Sequence, residues 1–135
     1  MGLRDIRNGV SVQSSVAPAV LTATTTGATV DTKGFDSAMA VVDVGVLVDG
    51  VMTPTLEDSP NDSDWTAVAA ANLEGAFIVA DGNVSPQTGV STITRVGYKG
   101  GERYLRLVFT ETAASAGAAM AGTIVLGHPH QSPVA

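Results

Sequence analysis

The segment from Met39 to Val48 restricts the fold more than any other part of the sequence, because both its odd-numbered and its even-numbered residues are mostly apolar. Side chains along a β-strand point alternately to its two faces. One face would carry Ala40, Val42, Val44, Val46 and Val48, and the other Met39, Val41, Asp43, Gly45 and Leu47. Such β-branched residues suit a pleated strand, and no segment shows the spacing of an amphipathic helix, so the chain is predicted to be all-β. Both faces of this strand are expected to be largely buried.

Turn-forming residues predict two hairpins after this strand. Asp49-Gly50 predicts a tight turn that returns Val51–Glu57 antiparallel to the first strand. Pro54 favours an edge position for the returning segment. A loop of Asp, Ser, Pro and Asn from Glu57 to Asp64 then predicts a second hairpin, whose next strand starts at Trp65.

A third hairpin is the clearest in the sequence and joins Ser91–Tyr98 to Arg103–Thr110 through Lys99-Gly100-Gly101-Glu102. With about eight short strands divided by turn signals, the sequence predicts an antiparallel β-sandwich that is jelly-roll-like, and a barrel is the structural alternative. The predicted core residues are Val42, Val44, Trp65, Leu105, Leu107 and Phe109.

The length of 135 residues fits one folded domain with short extensions. Residues 19–127 are predicted to form the sandwich and residues 128–135 a C-terminal tail. Residues 1–18 interleave polar and apolar side chains, which is typical of an extended N-terminal arm that adds to the sheet of another chain. The arm is expected to lie outside the core of its own domain. Its predicted contact residues are Leu3, Ile6, Val10 and Val12.

The charge balance disfavours two classes of partner. Seven basic and thirteen acidic residues give a net charge of −6, so neither nucleic acid nor an anionic membrane is an expected partner. Cysteine is absent, which excludes disulfides and cysteine-ligated metal sites. Charged residues close to Met1 do not fit a signal peptide, so synthesis in the cytoplasm without export is expected.

Three carboxylates, those of Asp58, Asp62 and Asp64, lie close together in the second predicted hairpin loop. Oxygen ligands at this spacing are compatible with calcium. The loop lacks the central glycine and the final glutamate of an EF-hand, so a solvated hairpin loop is the favoured interpretation. No metal and no cofactor are expected.

The two histidines, His128 and His130, lie near the C-terminus. A metal site there would need a third ligand, and a surface tail is the favoured interpretation. No Gly-x-Ser-x-Gly motif occurs, and histidines confined to the tail leave a serine nucleophile without a general base. The chain is therefore not expected to be an enzyme.

Basic residues cluster around the third predicted hairpin, and they are Arg95, Lys99, Arg103 and Arg106. On an acidic molecule these residues fit two roles, internal ion pairs with acidic loops or salt bridges to another subunit. The sequence leaves both roles open.

The aromatic residues raise the alternative of a sugar-binding module. A stacking platform would use Trp65, Tyr98 and Tyr104. Aromatic residues make up only 4% of the chain, and a lone tryptophan at a strand start is more typical of a core anchor.

Three segments carry a resemblance to known proteins. They are Thr53-Pro-Thr-Leu-Glu-Asp-Ser, Asp64-Trp-Thr-Ala-Val and Val96-Gly-Tyr-Lys-Gly-Gly-Glu-Arg-Tyr-Leu-Arg. Over about Gly34 to Gly127 the chain resembles small virion proteins of tailed bacteriophages. The hairpin containing Ser59, Asp62 and Trp65 is also similar to that of discoidin-type jelly rolls.

The phage resemblance implies a structural protein of the virion, a capsid decoration (cement) protein bound to the surface of the assembled shell. Its implied partners are the major capsid protein and copies of itself, most plausibly as a trimer. A head–tail joining protein or a tail protein is the alternative within the virion. The carbohydrate-binding β-sandwich is the alternative from another class.

Overall fold

The computed structural model describes residues 5–131 of the chain. Within that range, two antiparallel sheets pack face to face. The strands are β1 (Val10–Leu21), β2 (Thr25–Thr26), β3 (Val30–Asp31), β4 (Phe35–Leu47), β5 (Val51–Ser59), β6 (Thr66–Ala67), β7 (Leu73–Glu74), β8 (Ala80–Asp81), β9 (Thr92–Tyr98), β10 (Tyr104–Thr112) and β11 (Ala118–Pro129). Short 3₁₀ turns span Arg7–Gly9 and Ala70–Asn72, and the described part contains no helix long and apolar enough to cross a membrane.

The order of the strands is that of a jelly roll. Sheet A has the order β1-β11-β4-β9-β7, and sheet B has the order β2-β10-β5-β6, with β3 also paired to β10 and β8 to β5. When β2 with β3 and β6 with β8 are each counted as one interrupted strand, the two sheets have the double Greek-key arrangement of that fold. The prediction of a jelly-roll-like antiparallel sandwich is confirmed.

Two of the predicted hairpins are crossings between the sheets. Asp49-Gly50 leads from β4 in sheet A to β5 in sheet B, and Lys99–Glu102 leads from β9 in sheet A to β10 in sheet B. These hairpin predictions are wrong because each strand has an apolar face, and successive strands in opposite sheets bury those faces against each other. The hairpin of β5 and β6 is confirmed, with Glu57 opposite Ala67. Pro54 lies between the short pairings of β5 with β6 and with β8, where that edge has no strand partner.

The side chain of Asp49 connects two distant parts of the chain. Its carboxylate accepts hydrogen bonds of 2.8–3.0 Å from the backbone N–H groups of Ser115, Ala116 and Gly117. These amides, that of Gly117 first, lower the pKa of the Asp49 carboxyl. The crossing after β4 is thereby fixed to the connection between β10 and β11.

The core lies between the sheets and contains most of the predicted residues. Val42, Val44, Leu105, Leu107 and Phe109 are buried, as predicted. The prediction for Trp65 is wrong, because its ring lies at the outer side of sheet B and is only half-buried. There the guanidinium carbon of Arg106 lies 4.2 Å from the ring centroid.

A glycine on β11 sets how closely the sheets approach. A Cβ atom at Gly122 would lie 2.8 Å from the Leu107 Cδ1 atom and 3.2 Å from the Phe109 Cζ atom. The missing side chain leaves room for these two residues of β10 between the sheets. A larger residue at this position would overpack the core.

An irregularity near the end of β4 reverses its faces. Val44 pairs with Met120 and Leu47 pairs with Ala118, so β4 has one residue more than β11 between these pairs. Such a bulge shifts the alternation by one position. Leu47 is therefore buried, whereas Val46 is 70% exposed, the reverse of the regular alternation predicted for this strand.

The prediction that residues 1–18 form an arm outside the core is wrong for the part from Val10 onward. β1 pairs antiparallel with β11 from Val10, opposite Gly127, to Leu21, opposite Ala118, and Val16 is buried. The interleaved residues that suggested an arm are the alternation of an edge strand with one buried side. The boundaries predicted after residues 18 and 127 lie inside β1 and β11.

Ser15 joins β1 to sheet B. Its buried hydroxyl accepts a 3.0 Å hydrogen bond from the Leu107 N–H and donates a 2.9 Å bond to the Ala28 carbonyl. The backbone of Leu107 lies opposite the gap between β2 and β3, where β10 has no strand partner on that side. The hydroxyl therefore supplies an acceptor that the interrupted strand does not.

Ser15→Ala should lower the free energy of unfolding by about 1–3 kcal/mol, because the buried Leu107 N–H loses its acceptor. Ser14→Ala is the matched control, since Ser14 is exposed on the same strand and should change stability by less than about 0.5 kcal/mol. Urea unfolding of both variants measures the difference. Equal losses in the two variants would contradict the bridging role.

Candidate protein interface

The outer side of sheet A is an apolar surface that no described segment of the chain covers. We call it the apolar face. Its outward side chains come from β1, β4, β9 and β11 and are those of Val12, Ser14, Val20, Met39, Val41, Asp43, Val46, Ile93, Arg95, Ala119, Ala121, Thr123 and Val125. Val12, Val20, Val46 and Ile93 are 64–70% exposed. Contiguous exposed apolar surface of this kind is typical of protein contact sites.

The expectation that both sides of β4 are buried is therefore wrong for its outer side. The inner residues Ala40, Val42 and Val44 are buried, whereas Asp43 is exposed and Met39 is half-buried. Alternation within one strand shows that both sides are apolar, but it does not show which layer covers each side. Sheet B covers the inner side alone.

Two opposite charges lie on β4 and β9, two neighbouring strands of the apolar face. Asp43 is opposite Ile93 and Val41 is opposite Arg95 in the pairing of β4 with β9. The four residues form the corners of one cross-strand square, with the carboxylate and the guanidinium on a diagonal. Neither charged side chain has a hydrogen bond or an ion pair with any residue between 5 and 131.

A shallow depression of about 220 Å³ lies beside this square. Its lining residues are Pro18, Ala19, Asp43, Gly45, Ala119, Met120 and Ala121. Small side chains leave the backbones of β4 and β11 close to the surface there. The apolar face therefore has a concave part next to the protruding Ile93 side chain.

The β1 edge of sheet A is a poor site for an added strand. β1 has register shifts between Ser14 and Val16 and between Val16 and Ala19, and Pro18 lies inside the second one. Bulges and proline are features that keep an edge strand from pairing with other chains. At the opposite edge, β7 has only two residues and pairs only with Gly97 and Tyr98, so β9 has no strand partner among the described residues on that side from Thr92 to Val96. The face of the sheet offers a larger regular surface than either edge.

The other predicted interface residues lie in different surroundings. Leu3 lies outside the described residues. Ile6 is 70% exposed beside the first 3₁₀ turn, and Val10 and Val12 belong to β1, with Val12 on the apolar face. Their contact with another chain stays a prediction.

Three of the four clustered basic residues form ion pairs within the chain. Lys99 pairs with Glu74 at 2.8 Å, Arg103 with Asp31 at 2.7 Å and Arg106 with Glu57 at 2.7 Å. Arg106 and Glu57 are directly opposite each other on β10 and β5. The sequence left open whether these residues pair within the chain or with another subunit. Lys99, Arg103 and Arg106 pair within the chain. Arg95 differs from them, because it has no such partner in the described part of the chain.

The aromatic residues do not form one platform. Tyr98 belongs to sheet A, and its hydroxyl donates a 2.8 Å hydrogen bond to Asp58 of sheet B. Burial raises the pKa of Tyr98 to about 12. The rings of Trp65 and Tyr104 each have a guanidinium group over them, from Arg106 and Arg103 respectively.

We call the segment from Asp58 to Asp64 the acidic loop, and its three aspartates accept hydrogen bonds from side chains inside and outside it. The Asp58 carboxylate accepts from Tyr98, Asp62 accepts from Thr29 at 2.8 Å and Asp64 accepts from Asn61 at 2.7 Å. The three carboxylates thus face three different donors. Between residues 5 and 131 no group of three or more histidine, aspartate or glutamate side chains is placed to hold a metal ion.

The histidines are placed against the start of β4. A ring nitrogen of His128 lies 2.8 Å from the Ser37 hydroxyl, and one of His130 lies 2.7 Å from the Asp36 carboxylate. The predicted surface tail therefore continues β11 as far as Pro129 and packs beside a neighbouring strand.

No protein-family model and no curated protein matches this sequence. A solved structure to which this chain is weakly similar is titled "Structure of infectious bursal disease virus Gx strain". The two chains superimpose with a TM-score of 0.46 and 11% sequence identity, over 92% of this chain and 35% of that chain. The chain thus spans about a third of the length of the solved chain it matches. A likeness this distant carries no inference about this chain, and the resemblance to phage virion proteins stays a prediction.

The ion pair of Asp31 with Arg103 should make stability depend on pH in acid. The Arg103 guanidinium, which donates two hydrogen bonds, lowers the pKa of Asp31 to about 2. An aspartate in an unfolded chain has a pKa of about 3.9. The stabilisation is therefore present above that pH and is lost as the pH falls toward about 2.

Asp31→Asn should therefore lower the thermal midpoint at pH 6, and the gap to the wild type should narrow steadily between about pH 4 and pH 2. Asp43→Asn is the control, because Asp43 has no ion pair with a described residue and its gap should stay small throughout. Thermal unfolding followed by circular dichroism measures both gaps. A gap for Asp31→Asn that is constant from pH 6 to pH 2 would show that the pair does not stabilise the fold.

Proposed function

We propose that this chain is a bacteriophage virion protein that decorates the assembled capsid and stabilises it as a cement protein. The apolar face is the observation that carries the proposal. A small, acidic domain with an uncovered sheet face is suited to binding other proteins. The resemblance of three segments to small tailed-phage virion proteins supports the choice of a capsid over other protein partners.

The proposed action is binding without catalysis. The side chains that suggested chemistry make contacts within the chain: the acidic loop with Tyr98, Thr29 and Asn61, and the histidines with β4. The proposed partners are the major capsid protein and other copies of the chain. The net charge of −6 supports the view that nucleic acid and anionic membranes are not partners.

The segment from Asp5 to Gly9 is proposed to contact the shell. It lies outside both sheets and precedes β1, and its Ile6 side chain is 70% exposed. An exposed isoleucine next to an edge strand can bury apolar surface on a partner without disturbing the core.

Purified protein mixed with undecorated mature capsids should sediment with them at about micromolar concentration. Ile6→Asp should weaken this binding at least about tenfold, equivalent to about 1.4 kcal/mol, because it places a charge in the proposed apolar contact. Val84→Asp is the matched control, since Val84 is a 44% exposed loop valine that belongs to neither the segment nor the apolar face. Wild-type protein that stays wholly in the supernatant would refute the proposed function.

The number of copies in purified virions separates decoration from the other virion roles. A cement protein should be present in hundreds of copies, because it binds repeatedly over a symmetric shell. A head–tail joining protein or a tail protein that forms a single ring should be present in far fewer. Quantitative mass spectrometry against the major capsid protein makes this measurement, and a ring-like copy number would exclude the cement role.

A further inference from the structure

We propose that the apolar face is a contact between two copies of this chain, related by a two-fold axis that exchanges Asp43 and Arg95. The inference deepens the proposed function and rests on it in treating the face as a protein contact. It concerns which partner covers the face and which residues fix the register.

The charges on the face are complementary to those of a second copy. Asp43 and Arg95 lie on one diagonal of the square formed by the pairing of β4 with β9, and neither has a partner among the described residues. When two identical faces meet, a two-fold axis lying in the interface and passing between these residues places each Asp43 against the partner's Arg95. A two-fold contact of this type is self-complementary and closed.

The same axis brings apolar residues together. Val41 and Ile93 occupy the other two corners of the square, so an axis that exchanges the charged corners passes close to both. Each Ile93 side chain, now 70% exposed, would meet its own equivalent. The two new ion pairs would flank this apolar centre, which is the usual arrangement of a protein interface.

The size of the face fits a weak association. Four strands about 4.8 Å apart and about eight residues at 3.3 Å per residue give about 500 Å² per copy, or about 1,000 Å² in total. That total is close to the lower bound of about 1,000–1,200 Å² for specific interfaces. The small residues Ala119 and Ala121 allow the two sheets to approach as closely as the sheets of a sandwich.

Self-association must overcome the net charge of −6 on each copy. At physiological salt the charges are screened over about 8 Å, so this repulsion acts mainly between neighbouring groups. We therefore expect a dissociation constant on the order of 10–100 μM for the free protein. Copies bound side by side on a shell would associate more readily, because their local concentration is higher. A two-fold contact does not build a trimer, so three-fold association would use another surface.

Sedimentation velocity of the isolated protein from about 5 to 500 μM, at physiological salt and without capsids, tests the proposal. The wild type should shift from monomer to dimer over this range. Ile93→Asp should weaken dimer formation at least tenfold, and Val84→Asp should leave it unchanged. Circular dichroism spectra confirm that each variant is folded.

Charge reversal distinguishes a contact between two copies from a purely intramolecular role of Asp43 and Arg95. Asp43→Arg has two cations on its face and Arg95→Asp has two anions, so each variant alone should dimerise at least tenfold more weakly than the wild type. An equimolar mixture of the two should form a heterodimer with wild-type affinity, because every Arg then faces an Asp of the other chain. A mixture no better than the single variants would overturn the inference.

The outcomes separate this inference from the proposed function. A wild type that is monomeric up to about 500 μM but sediments with capsids would overturn the two-fold contact and leave the cement role standing. If Ile93→Asp also lost capsid binding in that case, the shell would be the partner that covers the face. A wild type that dimerises as described but does not bind capsids would support the two-fold contact and refute the cement role.

Discussion

The hydrogen bond that the Ser15 hydroxyl accepts from the Leu107 N–H connects the two sheets. Sheet B is interrupted between β2 and β3, and at that gap the Leu107 N–H finds its acceptor on a side chain of sheet A. The approach is close: a Cβ atom at Gly27 would lie 2.3 Å from the Ser15 oxygen. An unpaired buried N–H group is energetically costly. The bulges in β1, the gap in sheet B and Gly27 beside it are therefore needed together.

Burial on one side of sheet A leaves the other side for recognition. β4 and β11 carry apolar residues on both sides, but sheet B covers only the inner one. The bulges and Pro18 protect the β1 edge from adding a strand. The molecule therefore presents a sheet face, and not a sheet edge, as its broad apolar surface.

The charged residues divide between internal structure and that surface. Lys99, Arg103 and Arg106 are each paired with a carboxylate of the same chain, and two of them also lie over aromatic rings. The exposed pairs of Lys99 and Arg103 contribute little individually, but cross-strand pairs such as that of Arg106, which is partly buried, help to set strand register. Asp43 and Arg95 have no such partner among the described residues, although they lie on neighbouring strands. A charge pair left on an apolar face is better suited to fixing the register of a contact than to supplying its affinity.

Alternation and local turn residues were enough to predict the all-β class and the hairpin of β5 and β6. They also predicted the inward positions of Val42, Val44, Leu105, Leu107 and Phe109. The packing of the two sheets makes Asp49-Gly50 and Lys99–Glu102 cross between sheets, since a turn signal shows where the chain bends and not which strand it then pairs with. It also decided that β1 is part of the sandwich, because an edge strand and an extended arm share the same alternation. The sequence predicted Val12 and Arg95 as contact residues but not the face to which they belong, because apolar residues on both sides of β4 do not reveal that only one side is covered within the chain.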